Sequence, residues 1–245
     1  MDEQSLSKKQ RRELRRQEKI ERRTASQRSH RAKQLVGWLA GIAVIVAIFG
    51  GLVYLANQSP SGVGPKEVTA DDHVKGPPNS GVLLVEYSDF QCPACAQYYP
   101  IIQQVVEQYS DQLTFVYRHF PLRTIHKNSQ LAAQAAEAAG LQDKFWEMHD
   151  QLFEHQTEWA NLPDPTDTFI GYAQAIGMNT EQFAEELTSD FVEQQVNADY
   201  ASGNGAGVDS TPTFYINGTK MKAPSTLGAF QQMIDLELSI ATPTN

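Results

Sequence analysis

The stretch DFQCPAC, residues 89–95, contains Cys92 and Cys95, the only two cysteines in a chain of 245 residues. It follows GVLLVEYS, residues 81–88, a nearly continuous apolar run that predicts a strand covered on both faces. After Cys92, Pro93 suits the first position of a helix, and apolar side chains recur at helical spacing up to residue 109. The sequence therefore predicts a strand, a Cys-Pro-Ala-Cys motif and a helix, in that order.

Four uses compete for the two cysteines. A structural disulfide would close a loop of only four residues, and so short a loop removes little entropy from the unfolded chain. A structural zinc site needs four ligands, and the later histidines are not at zinc-finger spacing. Inert buried thiols do not account for the pairing. Reversible exchange does, because Cys92 at a helix N-terminus is favoured as the attacking thiolate and Cys95, on the same face, can resolve the mixed disulfide.

The remaining pattern alternates strands and helices. LTFVYRHF, from residue 113, predicts a second strand, and a long helical stretch follows over about residues 125–204, with Gly140 and Gly177 placed as stops. TPTFYINGTKMKA predicts a hairpin around an Asn217-Gly218 turn, and a last amphipathic helix begins at Ser225. The predicted fold class is α/β, in the order β-α-β, helices, β-β-α.

The two ends of the chain carry opposite charge. Residues 1–33 hold twelve Lys or Arg and five Asp or Glu, a net charge of +7, whereas residues 34–245 carry −16, which together give −9. Between them, the 22 uncharged residues 35–56 would reach roughly 33 Å as a helix, enough to span a hydrocarbon core of about 30 Å. These features predict a transmembrane signal-anchor helix over residues 34–56, with the basic segment in the cytoplasm and everything after it outside.

Two other interpretations of this apolar run are a buried core helix and a cleaved signal peptide. The length of the run disfavours the first. The long basic segment, and Tyr54 where a cleavage site needs a small residue, disfavour the second. Residues 57–78, rich in Pro, Gly and Ser, predict a flexible linker, and the folded domain is expected over residues 79–245. The expected location is the cell membrane, single-pass, with this domain extracytoplasmic.

A strand, then Cys-Pro-x-Cys opening a helix, then a distant Thr-Pro before a hairpin, resembles the thioredoxin superfamily. The phrases VEYSDFQCPAC, YRHFPL and KFWEMHDQLF, with the long helical stretch, resemble its membrane-anchored DsbA-like branch. The resemblance covers about residue 70 to the end and implies a thioredoxin-like fold, with a central mixed sheet and a helical insertion. It also implies a protein thiol:disulfide oxidoreductase, in which Cys92 is the exposed nucleophile and Cys95 the buried resolving thiol.

The resemblance implies roles for three further residues. Pro212 matches the cis-proline beside the active site, so Thr211 before it would offer backbone hydrogen bonds to an extended substrate peptide. Glu86 matches the buried acid that handles the proton of the resolving cysteine. The alternatives are an ordinary trans proline at position 212 and a solvent-facing carboxylate at position 86. His119 and His126 are expected to be packing or surface residues without a chemical role.

Ala94 is the point at which the motif departs from the strongest oxidants of the family. Many DsbA-like proteins carry His between the cysteines, a group that can stabilise the thiolate, whereas Ala offers neither a donor nor a charge. With Pro93 it is a tuning position of the motif. The sequence therefore predicts a milder oxidant than a His-bearing relative.

The function predicted from these residues is disulfide exchange with cysteine-containing secreted or surface proteins, with oxidation as the favoured direction. The resemblance implies a quinone-coupled membrane oxidase of the DsbB or VKOR type as the partner that restores the disulfide. A reductase or isomerase remains an alternative with the same chemistry. A non-enzymatic membrane-tethered peptide-binding module, and a nucleic-acid-binding basic segment, are alternatives of other classes.

No cofactor is expected beyond a redox-active Cys92–Cys95 disulfide. The chain has no Gly-rich phosphate loop and no clustered His and carboxylate motif, so neither a nucleotide nor a metal is predicted. The basic segment has no interleaved aromatic residues, so contact with anionic lipid is expected there rather than nucleic acid.

Overall fold

The computed structural model describes residues 64–78 and 80–241, together with Trp38, Gly41, Ile42 and Ile45, which are helical. The chain divides into two units, Met1–Ser59 and Pro60–Asn245. The predicted basic segment and nearly all of the predicted anchor, residues 34–56, lie outside the described residues. Within the part of the chain that the structure describes, no helix combines the length and the apolar character needed to cross a membrane.

A mixed five-stranded sheet lies at the centre of the second unit. Its strands are β1 His73–Lys75, β2 Val82–Ser88, β3 Leu113–His119, β4 Thr213–Ile216 and β5 Thr219–Lys220, in the spatial order β1-β3-β2-β4-β5. β2 and β3 are parallel, and the other neighbouring pairs are antiparallel. Every residue of β2 is buried, so the prediction of a strand covered on both faces is confirmed.

Helices lie on both sides of this sheet. Beyond residue 64 they are α1 Pro93–Gln108, α2 Ser129–Gly140, α3 Phe145–Glu154, α4 Gln156–Trp159, α5 Thr166–Ala175, α6 Thr180–Glu186, α7 Asp190–Ala206 and α8 Leu227–Ala241. Residues 120–212 are all described and contain no strand, so α2 to α7 form one helical segment between β3 and β4. The predicted insertion, residues 125–204, falls on this segment.

Alternation along the strands divides the core into two clusters. Leu84, Phe115 and Phe214 face the larger cluster, which includes side chains of α1, α8 and the helical segment. Val85 and Tyr215 face the smaller one, which α7 covers with Ala206. Because neighbouring strand residues point to opposite faces, a continuous apolar run is needed to fill both clusters.

The hairpin between β4 and β5 turns at Asn217 and Gly218, as predicted. Their φ angles are 47° and 79°, the pair of positive values that a type I′ turn requires and that Asn-Gly adopts at little cost. The amide N–H of Leu83 donates to Asn217 Oδ1 at 2.9 Å. The N–H of Gly64 donates to the carbonyl of Gly218 at 3.0 Å, so the described chain enters the fold beside this turn.

The folded region begins before the predicted boundary at residue 79. β1 pairs with β3 at the edge of the sheet, and Asp72 before it accepts two hydrogen bonds from the Arg118 guanidinium, at 2.7 and 2.8 Å. The predicted linker, residues 57–78, is therefore wrong over its last part. Three residues are too few to show a period, and only the tertiary pairing makes them a strand.

One predicted helix stop is correct in place but not in mechanism. α2 ends at Gly140, as predicted, yet the left-handed residue that follows it is Asp143, with a φ of 58°. Gly177, in contrast, has a φ of 78° just after α5, the conformation for which glycine is favoured at a helix end.

Two glycines near the end of α7 give a matched test of how closely this helix packs against Phe120. A Cβ at Gly203 would lie 2.5 Å from the Phe120 ring, whereas a Cβ at Gly205 would meet nothing within 4 Å. Gly205→Ala should raise the free energy of unfolding by up to about 1 kcal/mol through helix propensity. Gly203→Ala should lower it by about 1–3 kcal/mol through overpacking. Urea denaturation of both variants measures the difference, and equal stabilisation by both would contradict the packing described.

Candidate active site

Cys92 is the N-cap of α1, the last residue with extended backbone before the helix. Its carbonyl accepts a hydrogen bond from the N–H of Ala96 at 3.2 Å. Its sulfur is therefore carried at the end of the helix where unpaired N–H groups and the helix dipole favour negative charge. Both cysteines are free thiols, and Cys95, one turn into the helix, is fully buried. Cys92 is 7% exposed, so the expectation of an exposed thiol at this position is wrong.

A loop distant in sequence contacts Cys92. The peptide bond between Thr211 and Pro212 is cis, so the trans alternative for Pro212 is wrong. β4 begins directly after this bond and pairs with β2, which places the loop beside the end of β2 that leads to Cys92. The carbonyl oxygen of Thr211 lies 3.5 Å from Cys92 Sγ, and it accepts a hydrogen bond when Cys92 is a protonated thiol. Substrate binding by Thr211 stays a prediction.

The surroundings separate the acidities of the two thiols. Hydrogen bonding from Cys95 is the largest of the effects that lower the pKa of Cys92 to about 5, and the Thr211 hydroxyl and the N–H groups of Cys95 and Ala94 add to it, against burial, which raises it. Burial raises the pKa of Cys95 well above its ordinary value, and the neighbouring Cys92 reinforces this. At neutral pH, Cys92 is therefore the thiolate and Cys95 the thiol.

Glu86 lies in the middle of β2 and is buried, so the solvent-facing alternative is wrong. Burial raises the pKa of Glu86 to about 7, and negative charge on Cys92 contributes to the increase. The residue lines a partly open cavity of about 340 Å³ between α1 and α3, together with Lys75, Trp146 and His149. A carboxyl group with this pKa beside a cavity can both give and take a proton near neutral pH. Its part in catalysis stays a prediction.

Residues 89–92 form the turn that leads into α1, here called the catalytic turn. The side chains that hold it carry no recognisable sequence pattern. The carbonyl of Asp89 accepts from the N–H of Cys92 at 3.0 Å, and Asp89 Oδ1 accepts from the N–H of Gln91 at 2.7 Å. Gln156 Nε2 donates to the carbonyls of Phe90 and Cys92, at 2.6 and 3.0 Å. An aspartate at the first position of a turn was the one available signal for this arrangement.

His126 also reaches this turn. Its Nδ1 donates to Asp89 Oδ2 at 2.7 Å, and the Asp89 side chain is 0% exposed. The same oxygen accepts from the N–H of Leu122 at 2.9 Å. The expectation that His126 is a packing or surface residue is therefore incomplete, because it is bonded to the residue that shapes the catalytic turn.

The fold brings together three residues of metal-ligating type, His119, Glu137 and Asp199, with one atom of each within 4.8 Å of the others. Burial raises the pKa of Glu137, but hydrogen bonds from His119 and His73, at 2.8 and 3.0 Å, outweigh it and hold this pKa at about 2. Burial raises the pKa of Asp199 to about 6. The sequence interpretation identified no such cluster, because its members come from β3, α2 and α7.

A comparison with known families decides the wider assignment. The family model described as Thioredoxin, Thioredoxin_4, matches residues 68–236. The chain belongs to the thioredoxin family. Alpha-DsbA1 of Wolbachia pipientis shares the fold with a TM-score of 0.64 at 21% identity, over 71% of this chain and 94% of that one. BdbD of Bacillus subtilis, in its oxidised form, gives a TM-score of 0.63 at 25% identity, over 73% of this chain and 98% of that one.

Curated relatives of this family member include longer proteins. The Na(+)/H(+) antiporter NhaA 1 of Salinispora arenicola is 39% identical over 149 residues, which are 61% of this chain and 22% of that protein. The chain spans 22–33% of the length of such relatives. Family membership and DsbA-like neighbours, with the paired thiols, make the chain a DsbA-like thiol:disulfide oxidoreductase. The predicted family and enzyme class are thus confirmed.

The dependence of Cys92 on Cys95 can be tested by titration. The thiolate absorbance of the reduced chain should follow a midpoint near pH 5. Cys95→Ala removes the strongest hydrogen bond to the thiolate and should move the midpoint toward the ordinary cysteine value of about 8.5. Cys95→Ser retains a donor and should give an intermediate midpoint. An unchanged midpoint in Cys95→Ala would show that the helix terminus alone sets the acidity.

Proposed function

We propose that the chain is an extracytoplasmic oxidase, which transfers the Cys92–Cys95 disulfide to secreted or surface proteins. The observation that carries this proposal is the position of Cys92 at the N-terminus of α1, where its pKa is lowered to about 5, beside a fully buried Cys95. Stabilising the thiolate stabilises the reduced protein, and a pair whose reduced form is stabilised is a strong acceptor of electrons. Reduction of the enzyme and oxidation of the substrate are then favoured together.

The transfer takes two displacement steps. A substrate thiolate attacks Cys92 Sγ, the Cys92–Cys95 bond breaks, and its electron pair goes to Cys95, which takes up a proton. A second substrate thiolate then attacks the substrate sulfur of the mixed disulfide, and the electron pair returns to Cys92, which leaves as a stable thiolate. The substrate dithiol has lost two electrons to the enzyme, whose two cysteines end as one thiol and one thiolate.

Glu86 would supply the proton for Cys95. The raised pKa of Cys95 means that its thiolate is unstable in the buried position and has to be protonated as it forms. Glu86, with a pKa raised to about 7, is half protonated near neutral pH, and its charge contributes to the raised pKa of Cys95. The cavity beside Glu86 would allow the proton to be replaced from solvent.

Substrate peptides would lie along the Thr211–Pro212 loop. The Thr211 carbonyl oxygen lies 3.5 Å from Cys92 Sγ, so a peptide paired with this backbone would bring its cysteine close to the sulfur of Cys92. Pairing through backbone groups depends little on the side chains of the peptide, which suits an enzyme with many different substrates.

The pKa of Cys92 also indicates the strength of the oxidant. The value of about 5 for Cys92 lies between those of thioredoxin, about 7, and DsbA, about 3.5. The Ala94 side chain, half-buried inside the motif, supplies no donor to lower this pKa further. This supports a moderate oxidase, while a reductase would need a potential near or below that of thioredoxin.

We propose the cell membrane as the location. The uncharged residues 35–56 and the twelve Lys or Arg of residues 1–33 support a single-pass anchor with a cytoplasmic N-terminus. A quinone-coupled oxidase of the DsbB or VKOR type would then reoxidise Cys92 and Cys95 at the outer face. Sodium and proton antiport belongs to relatives of which the chain spans 22–33%, and it is not part of the proposal.

The reduction potential tests the direction of exchange. Equilibration of the chain in glutathione buffers, with thiol labelling as readout, should give a value between about −270 mV and about −120 mV, the values of thioredoxin and DsbA. Ala94→His should raise the potential, by about 30 mV for each unit by which the pKa of Cys92 falls. Ala94→Gln, which adds bulk and no positive charge, is the control.

The outcomes separate the candidate functions. A potential at or below that of thioredoxin would replace the oxidase with a reductase. A pair that never forms a disulfide, or a Cys92→Ser variant with full activity on a reduced substrate protein, would leave a peptide-binding module.

The oxidase proposal also predicts that the reduced chain is more stable than the oxidised chain at neutral pH. The pKa of Cys92 is depressed on folding, so its contribution is complete above the ordinary thiol pKa and is lost as the pH falls through about 5. Cys95 does not contribute to the pH dependence of stability in this range, because it is protonated in both the folded and the unfolded state below its ordinary pKa. Urea denaturation should therefore show that the difference in the free energy of unfolding between the two redox forms decreases from pH 7 to pH 5.

The double variant Cys92→Ser, Cys95→Ser provides the control for this measurement. It should unfold identically with and without reductant at every pH. An oxidised form that is the more stable one at neutral pH would contradict the oxidase and agree with a disulfide that mainly stabilises the fold.

A further inference from the structure

We propose that the helical segment between β3 and β4, together with the loop that leads into it, fixes the catalytic turn through a polar clamp, and that His126 is a positioning residue that acts through Asp89 on Cys92. The clamp consists of His126, Asn128 and Gln156, with Gln91 and Asp89 as their partners in the turn. The inference rests on the proposed redox function and deepens it, because it identifies residues outside the motif that set its potential.

Asp89 is the centre of the clamp. Its carbonyl accepts from the N–H of Cys92 at 3.0 Å, which closes the turn at the residue that caps α1. Its carboxylate accepts three hydrogen bonds, from the N–H of Gln91 at 2.7 Å, the N–H of Leu122 at 2.9 Å and His126 Nδ1 at 2.7 Å. A buried carboxylate needs such donors, so the loss of one weakens its hold on the turn.

His126 is itself held in place. Its N–H donates to the carbonyl of Leu122 at 2.9 Å, and its carbonyl accepts from the Ser129 hydroxyl at 2.8 Å. Its side chain is 16% exposed, so the ring approaches Asp89 from the surface side while Nδ1 points inward. Nδ1 carries a proton toward the carboxylate whether the ring is neutral or charged, and the bond therefore does not depend on the protonation of Nε2.

The other arms of the clamp fix the rest of the turn. Gln91 Oε1 accepts from the N–H of Asn128 at 2.7 Å, and Gln91 Nε2 donates to the carbonyl of Ala160 at 2.6 Å. Gln156 Nε2 donates to the carbonyls of Phe90 and Cys92, at 2.6 and 3.0 Å. Every residue from 89 to 92 is thus bonded to the helical segment or to the loop that leads into it.

The clamp acts on chemistry because the Cys92 thiolate depends on geometry. The N–H groups of Ala94 and Cys95 lower its pKa only while the turn keeps Sγ in front of them. Loosening Asp89 would let Cys92 move away from these donors. The thiolate would then be less stable and the disulfide less oxidising.

Three substitutions at His126 separate positioning from simple packing. His126→Asn places an amide donor near the position of Nδ1 and should preserve the wild-type values. His126→Gln places its donor near the position of Nε2, away from Asp89, and His126→Ala has none. Both should raise the midpoint of thiolate titration and make the chain about tenfold less oxidising against glutathione, equivalent to about 30 mV. Gln156→Met should change both readouts in the same direction.

Urea denaturation of the same variants supplies the comparison with stability. A lower stability with unchanged titration midpoint and glutathione equilibrium in His126→Gln and His126→Ala would overturn the proposal. Equal values in His126→Asn and His126→Gln would overturn it as well, even if the alanine variant does not fold. A wild-type chain that forms no disulfide would contradict the proposed function. If the wild-type chain exchanges disulfides and the His126 variants show the same titration midpoint and glutathione equilibrium, only this inference is contradicted.

Discussion

A thiolate at a helix terminus is stabilised only while its sulfur stays in line with the unpaired N–H groups of the first turn. The rest of this active site depends on that constraint. β2 brings the chain to the end of the sheet at which Cys92 lies, and the turn at residues 89–92 orients Cys92 toward the first turn of α1. Pro93 then starts α1 without leaving an N–H unpaired. The loop before β4 closes the site from the other side, where Thr211 contacts Cys92.

The two cysteines illustrate how three residues of separation produce opposite chemistry. Cys92 lies before the first helical turn, where donors converge, whereas Cys95 lies inside it, against the sheet and near Glu86. The same negative charge on Cys92 contributes to the raised pKa of both Cys95 and Glu86. Three acidic groups are therefore coupled, and the ionisation of one reduces the tendency of the others to ionise.

Local rules account for much of the fold. The run before the motif predicted β2, the proline predicted the start of α1, and Asn-Gly predicted the turn at Asn217 and Gly218, because each of these signals is a property of the residues themselves. β1 could not be predicted, since three residues form a strand only through their pairing with β3. The buried state of Glu86 and the cis bond before Pro212 came from the resemblance rather than from local pattern.

The clamp around the catalytic turn was beyond prediction for a related reason. His126 and Asn128 lie in the loop before α2, and Gln156 is the first residue of the short helix α4, so no periodicity marks them. Their partners lie 37 to 66 residues away in sequence. Polar side chains that bond to backbone groups of another segment look, in a sequence, the same as polar side chains that face water.

The hydrogen bond between Gly64 and Gly218 places Gly64 at the end of the sheet where the Asn217-Gly218 turn lies. The Asn217-Gly218 turn lies at the end of β2 where Leu83 is bonded, whereas Cys92 follows the opposite end of the same strand. Gly64 therefore lies at one end of the sheet and the two cysteines follow the other end. A protein that exchanges a disulfide with Cys92 therefore approaches the fold at the end of β2 opposite Gly64.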